Sequence, residues 1–180
     1  MQYLVSFALL VALAAWMAGV YNHLDHLRRA VCVSWLQWCR STHLRNVSLE
    51  DFVSSSAVVL SQHDDMSARL KSMVTSSEHE ISVALEPHWG KEQGSMIPGE
   101  RLLRRTAVEV LTAVEESSAM RNQVHLQQLC SRVSSALYQQ DQYATLFDRA
   151  VREYNEALST PSACILAPVF GFVATNPLGE

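Results

Sequence analysis

Glycine and proline are scarce in this chain, with 6 and 5 among 180 residues, so few positions can punctuate tight turns. Cysteine is equally sparse: Cys32, Cys39, Cys130 and Cys164 form no C-x-x-C pair. Nothing here requires a disulfide framework, which is compatible with a reducing cytoplasm. Cys32 and Cys39 lie seven apart, near one helix face, and read as small buried apolar residues. Catalytic signatures are also missing. There is no H-E-x-x-H, no G-x-S-x-G, no S-x-x-K and no glycine-rich phosphate loop. The stretch from Gly94 to Gly99 has neither the spacing nor the lysine for such a loop, and Lys71 is an isolated helix charge.

Seven histidines invite a metal reading, but their spacing does not sustain it. His63-Asp64-Asp65 and Glu78-His79-Glu80 set ligand types side by side, and adjacent helical residues point in different directions. His23 and His26 share a face near Asp25, where polar aromatic groups leaving a bilayer are ordinary. A di-iron bundle would need E-x-x-H on two helices, and Glu115-Glu116 fits a solvated surface better. No metal, cofactor or catalytic residue is expected, and the chain reads as a non-enzyme.

What the chain does have is one long apolar run. From Tyr3 to Tyr21 it reads YLVSFALLVALAAWMAGVY, without a charge and with Ser6 as the one clearly polar side chain. Nineteen helical residues span roughly 28 Å, close to the hydrocarbon thickness of a bilayer. Crossing as a helix pairs every backbone group internally. Residues 1–22 are therefore expected to be a transmembrane anchor. The rival reading is a signal peptide cleaved near Ala12–Gly19, which would leave a secreted helical module. Against it, no Lys or Arg precedes the run, and Tyr21-Asn22 continues directly into helical pattern. A merely buried helix is the third option.

Arg28, Arg29, Arg40 and Arg45 all follow the span and no Lys or Arg precedes it. The positive-inside rule then places the downstream domain in the cytoplasm of a single-pass protein of the bacterial inner membrane. Up to residue 46, four arginines face one aspartate, whereas residues 47–180 hold ten basic and seventeen acidic groups. A cationic collar beside an acidic body suits a lipid bilayer with anionic headgroups. The acidic bulk repels phosphate, so nucleic acid is not expected as a partner.

The anchor helix is expected to continue to about residue 45. Leu24, Leu27, Val31, Trp35 and Trp38 recur at steps of three and four, giving one apolar face on a helix about 65 Å long. A second helix is predicted from Ser48, an N-cap with Asp51 three residues on, to Pro87. Its stripe passes through Leu49, Val53, Ala57, Leu60, Leu70, Val74, Ile81 and Leu85, with a polar interruption at His63 and Asp64. His88–Gly99 reads as a loop. A third helix, from Glu100 to Ala119, faces inward with Leu103, Ala107, Val110, Leu111 and Val114. The fourth carries Leu126, Leu129, Val133, Leu137, Ala144, Phe147, Val151, Tyr154 and Leu158, interrupted at Gln140. Pro161 stops it. Residues 161–180, with three prolines and two glycines, read as a non-helical apolar tail. Such helices must cover one another's stripes, and antiparallel packing with short links is the simplest arrangement. The expected fold is all-α: an N-terminal transmembrane helix continuing into an antiparallel four-helix bundle over 23–160, coiled-coil-like in its packing.

The last helix carries Val151-Arg152-Glu153-Tyr154-Asn155, followed by Pro161 and Phe170-Gly171-Phe172. Structurally, Tyr154 would pack in the core with its hydroxyl at the rim, Asn155 would fix a helix contact, and the phenylalanines would plug the open bundle end. A ligand site is the competing reading.

With Tyr21-Asn22-His23-Leu24 and Trp35 near the start, this order of motifs resembles the LemA family of bacterial membrane-anchored helical proteins. That family shows Y-N-x-L after an N-terminal hydrophobic segment, then a tryptophan. It closes with Y-N, V, Y-N, F-P and G-F. Here the closing elements are Phe147-Asp148, Val151, Tyr154-Asn155, Thr160-Pro161 and Gly171-Phe172. Extension backwards aligns Glu115 and Leu129 with a glutamate and a leucine of the family. Where the family carries K-R-R and D-L-I-P-N-L-V, this chain has His43-Leu44-Arg45 and a proline-free Val47–Val53. The resemblance implies a bundle beneath one transmembrane helix, with no established enzymatic activity. The function expected is a membrane-tethered interaction or scaffold module with a membrane-associated protein partner. The alternative from another class is a hydrolase or metal-binding enzyme, in which Glu115, His125 and a second carboxylate would converge on a pocket.

Overall fold

The computed structural model describes residues 2–56, 64–84, 97–117 and 123–178. Among them the chain is all-α, with five helices and no strand: α1 (Gln2–Ser56), α2 (Asp64–Ala84), α3 (Ile97–Glu116), α4 (Val124–Leu158) and α5 (Pro161–Phe170). The first helix alone, 55 residues, is some 80 Å long. It is long and apolar enough to cross a membrane, and none of its most apolar stretch is buried by the rest of the chain. From Leu24 onward the same helix turns one face into the protein: Leu24, Val31, Trp35 and Trp38 are buried.

This helix does not end near residue 45. Ser48 is helix interior, its Oγ bonding back to the Leu44 carbonyl at 2.8 Å, and the helix runs on to Ser56. A serine followed by an acid three residues later can cap a helix or sit inside one. Burial decides here, because Leu49 and Phe52 extend the face that Trp38 begins and are completely enclosed. Leu49 and Val53 thus belong to α1, whereas Leu70, Val74 and Ile81 lie on α2. Ala57, Leu60, His63 and Leu85 fall outside the described residues. Ile97–Gly99, expected to close the preceding loop, form the first turn of α3, where a proline lacks only an N–H that would be unpaired anyway.

Two apolar clusters fill the interior. One joins Leu49 and Phe52 of α1 to Leu70 and Val74 of α2, the inward face of α3, and α4 from Leu126 to Leu137. The other, nearer the apolar span, joins Leu24 to Cys39 with Ile81, Phe147, Val151 and Tyr154, and with Ala163, Ala167 and Phe172 from beyond α4. The α1–α4 pairing dominates, and its polarity is set by long-range contacts. The rings of Trp35 and Phe147 are 5.2 Å apart, while Thr42 and Arg45, further along α1, meet Gln140, earlier on α4.

The segment expected to be non-helical contains α5. Pro161 occupies its first turn, where proline is favoured, and Pro168 falls in its last, costing the Cys164 carbonyl its helical donor. Gly171 then takes the left-handed conformation (φ 69°), and the N–H groups of Gly171 and Phe172 both close on the Ala167 carbonyl. Pro161 and Gly171, taken as signs of a tail, are thus the start and stop of a helix. Its inner face, Ala163, Leu166 and Ala167, is buried.

Candidate functional site

The residues singled out in the sequence separate into groups once folded. Leu24, Trp35, Val151, Tyr154 and Phe172 share the cluster nearest the apolar span. Tyr21 stands beside them, its ring 5.1 Å from Phe170 and 5.6 Å from Phe172, both edge-on. The Arg28 guanidinium lies over Phe172, 5.9 Å from the ring centre. Leu129 belongs to the far cluster. Asn22, Glu115, Pro161 and Gly171 are exposed, and so is His125.

Chain beyond α5 folds back along α4 and is tied there by polar groups. The Tyr154 hydroxyl donates to the Val173 carbonyl at 3.1 Å. Asn155 makes a two-way pair with Thr175: its Nδ2 donates to the carbonyl at 2.7 Å, and its Oδ1 accepts from the backbone N–H at 3.2 Å. The Leu178 N–H donates to Asp148 Oδ1 at 2.6 Å. A segment outside any helix or sheet has backbone groups to satisfy, and α4 supplies side chains that do so. Tyr154 packs in the core as expected, whereas Asn155, expected to fix a helix contact, instead holds the non-helical segment after α5. Burial is the main influence on the Tyr154 phenol and pushes its pKa up.

A second arrangement, between the two apolar clusters, was not anticipated. Arg45, counted in the sequence as part of the cationic collar, is completely buried. Its Nη1 reaches Glu100 Oε2 at 2.5 Å and Gln140 Oε1 at 2.8 Å. Its Nη2 donates to Asn46 Oδ1 at 2.7 Å, and to Ser77 Oγ and Glu100 Oε1 at 3.2 Å. Nε completes the set on Asn46 Oδ1 at 3.1 Å, so all five guanidinium hydrogens have acceptors. Glu100 also accepts from Ser77 Oγ at 2.6 Å and from Gln140 Nε2 at 3.0 Å. Burial pushes the Glu100 carboxyl up, but the hydrogen bonds and charge of Arg45, aided by Ser77 and Gln140, outweigh it. The pKa is held below the usual carboxylate range.

The signal for this network was present in the sequence. Trp38, Thr42, Arg45, Leu49 and Phe52 continue the α1 stripe in steps of four and three, which puts Arg45 on the inward face. Gln140, noted only as an interruption of the α4 stripe, is the partner that interruption required. Among the described residues every buried side-chain nitrogen and oxygen has a hydrogen-bond partner. The network is therefore a polar layer whose buried groups satisfy one another.

Burial pushes the Cys39 thiol up to about 12, far from thiolate at neutral pH. Among the described residues no three His, Cys, Asp or Glu side chains gather as metal ligands would. Comparison with protein-family models, with curated proteins and with solved structures finds no match to this chain.

Proposed function

We propose that this chain is a membrane-tethered, non-enzymatic interaction protein of the LemA type: an antiparallel four-helix bundle carried on a single transmembrane helix. The observation that carries the reading is the contrast within α1. The most apolar stretch of the chain lies at the start of this helix and none of it is buried, while from Leu24 onward the same helix is packed on one face. A bare apolar rod of that length is costly in water and at home in hydrocarbon. Burying nothing of itself, it is a tether and not a core element.

The family-like residues support the same reading by where they fall. Tyr21, Leu24, Trp35, Val151, Tyr154 and Phe172 build the foot of the domain next to the span, as suits positions that join a bundle to its anchor. Tethering confines the bundle to one membrane and raises its effective concentration toward partners there. The domain is proposed to lie on the cytoplasmic face of a bacterial inner membrane, with its outer bundle surface meeting a membrane-associated protein.

Alkaline extraction tests the tether. The full chain should stay with the membrane pellet at high pH, while a fragment beginning at Asn22 should be soluble and strongly helical by circular dichroism. Release of the intact chain by alkali would overturn the anchor, and a purified mass lacking the first twenty or so residues would replace it with a cleaved signal.

A further inference from the structure

We propose that α5 and its immediate continuation to Val173 form a second membrane contact, a short helix lying in the headgroup–acyl boundary beside the span, so that the foot of the bundle is seated in the lipid. The inference rests on the transmembrane reading of α1.

Three observations converge on this face. The first is level. Trp16, Gly19 and Val20 of α1 line a shallow groove whose other wall is Ala157, Thr160 and Ala163 at the α4–α5 corner. Tyr21 meets Phe170 and Phe172 just beyond. The α4–α5 corner is therefore alongside the last turns of the apolar span and not above them. Trp16 to Tyr21 covers about 7.5 Å of helix, and interfacial helices sit roughly 5–10 Å deep.

The second is composition. From Ala157 to Gly179 the chain carries no charged side chain, although the preceding three turns of α4 are studded with charge. The third is exposure. The outer side of α5 and its continuation present Ile165 (68% exposed), Val169 (72%), Phe170 (40%) and Val173 (58%). Their opposite side packs on the bundle through Ala163 and Ala167. This apolar face is continuous with the equally bare span, so one occupant, the acyl region of the bilayer that the span crosses, covers both. Arg28 and Arg29 lie two turns further up α1, where the headgroups of the same leaflet would be. The hydrogen bonds from Tyr154, Asn155 and Asp148 keep the segment after α5, and with it α5, in place against the bundle.

Photo-crosslinking of the full-length protein in phospholipid vesicles tests this. A benzophenone side chain is installed in turn at Leu9 in the span, at Ile165 and Val169 on α5, and at Val124 at the far end of α4. Retained helicity by circular dichroism admits each variant. Irradiation should add the mass of one phospholipid at positions 9, 165 and 169 and lose that adduct at position 124. Lipid adducts at position 9 with none at 165 and 169 would overturn the second contact and leave the anchor standing. A cross-linked dimer at 165 and 169 in place of lipid would assign the face to a second copy, and would overturn it too. Absence of lipid at position 9 would remove the anchor itself and the inference with it.

Discussion

Arg45 of α1 and Glu100 of α3, fifty-five residues apart in sequence, form a two-point ion pair inside the domain, with Nη1–Oε2 at 2.5 Å and Nη2–Oε1 at 3.2 Å. It occupies the level between the two apolar clusters, and it links α1 and α3 to α2 through Ser77 and to α4 through Gln140. Helices α1 to α4 thus share one polar layer. Desolvating such a pair costs about what its attraction returns, so its net contribution to stability is small. Its effect on alignment is larger: a slip of one helix turn would bury five unpaired donors.

Breaking the pair from one side is accordingly expected to be severe. Arg45→Met should destabilise the fragment starting at Asn22 by about 3–5 kcal/mol, because Glu100 is left buried without its cation. Adding Glu100→Leu should restore part of that loss. Urea midpoints of the two single variants and the double variant measure the coupling. Strict additivity would mean that the two side chains do not depend on each other.

Acid should act through the same carboxyl. The Glu100 pKa is lowered in the folded state, so its stabilisation is complete above the unfolded value of about 4.3 and is lost as pH falls through the folded value. Stability measured from pH 7 downward should therefore fall below about pH 4.3. Glu100→Gln should lower the neutral-pH stability and flatten that acid limb. An unchanged slope in the variant would assign acid sensitivity to other carboxylates.

Thiol reactivity should follow burial. In the fragment starting at Asn22, Cys164 is exposed, whereas Cys39 and Cys130 are buried and Cys39 is held neutral up to about pH 12. A maleimide at pH 7 should modify Cys164 promptly, and Cys39 and Cys130 at the rate at which the domain opens. Peptide mass mapping against time distinguishes the sites. Prompt modification of Cys39 would contradict its position between α1 and the rest of the core.

Tyr154→Ala should destabilise the same fragment by about 2–4 kcal/mol, the range for truncating a large enclosed side chain. Tyr154→Phe keeps the ring but loses the donor to the Val173 carbonyl, and should cost about 1 kcal/mol. Protection of the Thr175 amide from hydrogen exchange, held by Asn155, should fall selectively in Asn155→Ala. Equal loss of protection across α4 would show instead that the segment after α5 and the bundle open together.

Orientation is expected to place the amino terminus outside and the domain in the cytoplasm. Burial of Arg45 does not weaken this, because Arg28 and Arg29, next to the span, carry the bias. In intact cells, a variant lacking the native cysteines and carrying Ser135→Cys, an exposed α4 position, should resist a membrane-impermeant thiol reagent until the membrane is permeabilised. Immediate labelling from outside would invert the topology.

The apolar run and the three- and four-residue stripes were legible in the sequence because both are local. A helix periodicity is written in neighbouring residues, and the inward residues named for α3 and α4 are buried almost throughout. Helix ends were less legible. Ser48 has the pattern of a cap and Pro161 that of a terminator. Yet Ser48 is carried inside α1 by the burial of Leu49 and Phe52, and although α4 does end ahead of Pro161, at Leu158, the same proline opens a new helix where a tail was expected. Only the tertiary fold decided the rest. Whether an arginine on an apolar stripe snorkels to water or stays inside depends on the acceptors offered to it. For Arg45 the chief ones are Glu100, 55 residues away, and Gln140, 95 away. Likewise, whether an uncharged carboxy-terminal segment trails or folds back depends on the side chains of Tyr154 and Asn155, whose bonds to Val173 and Thr175 form only once α4 and α5 have met.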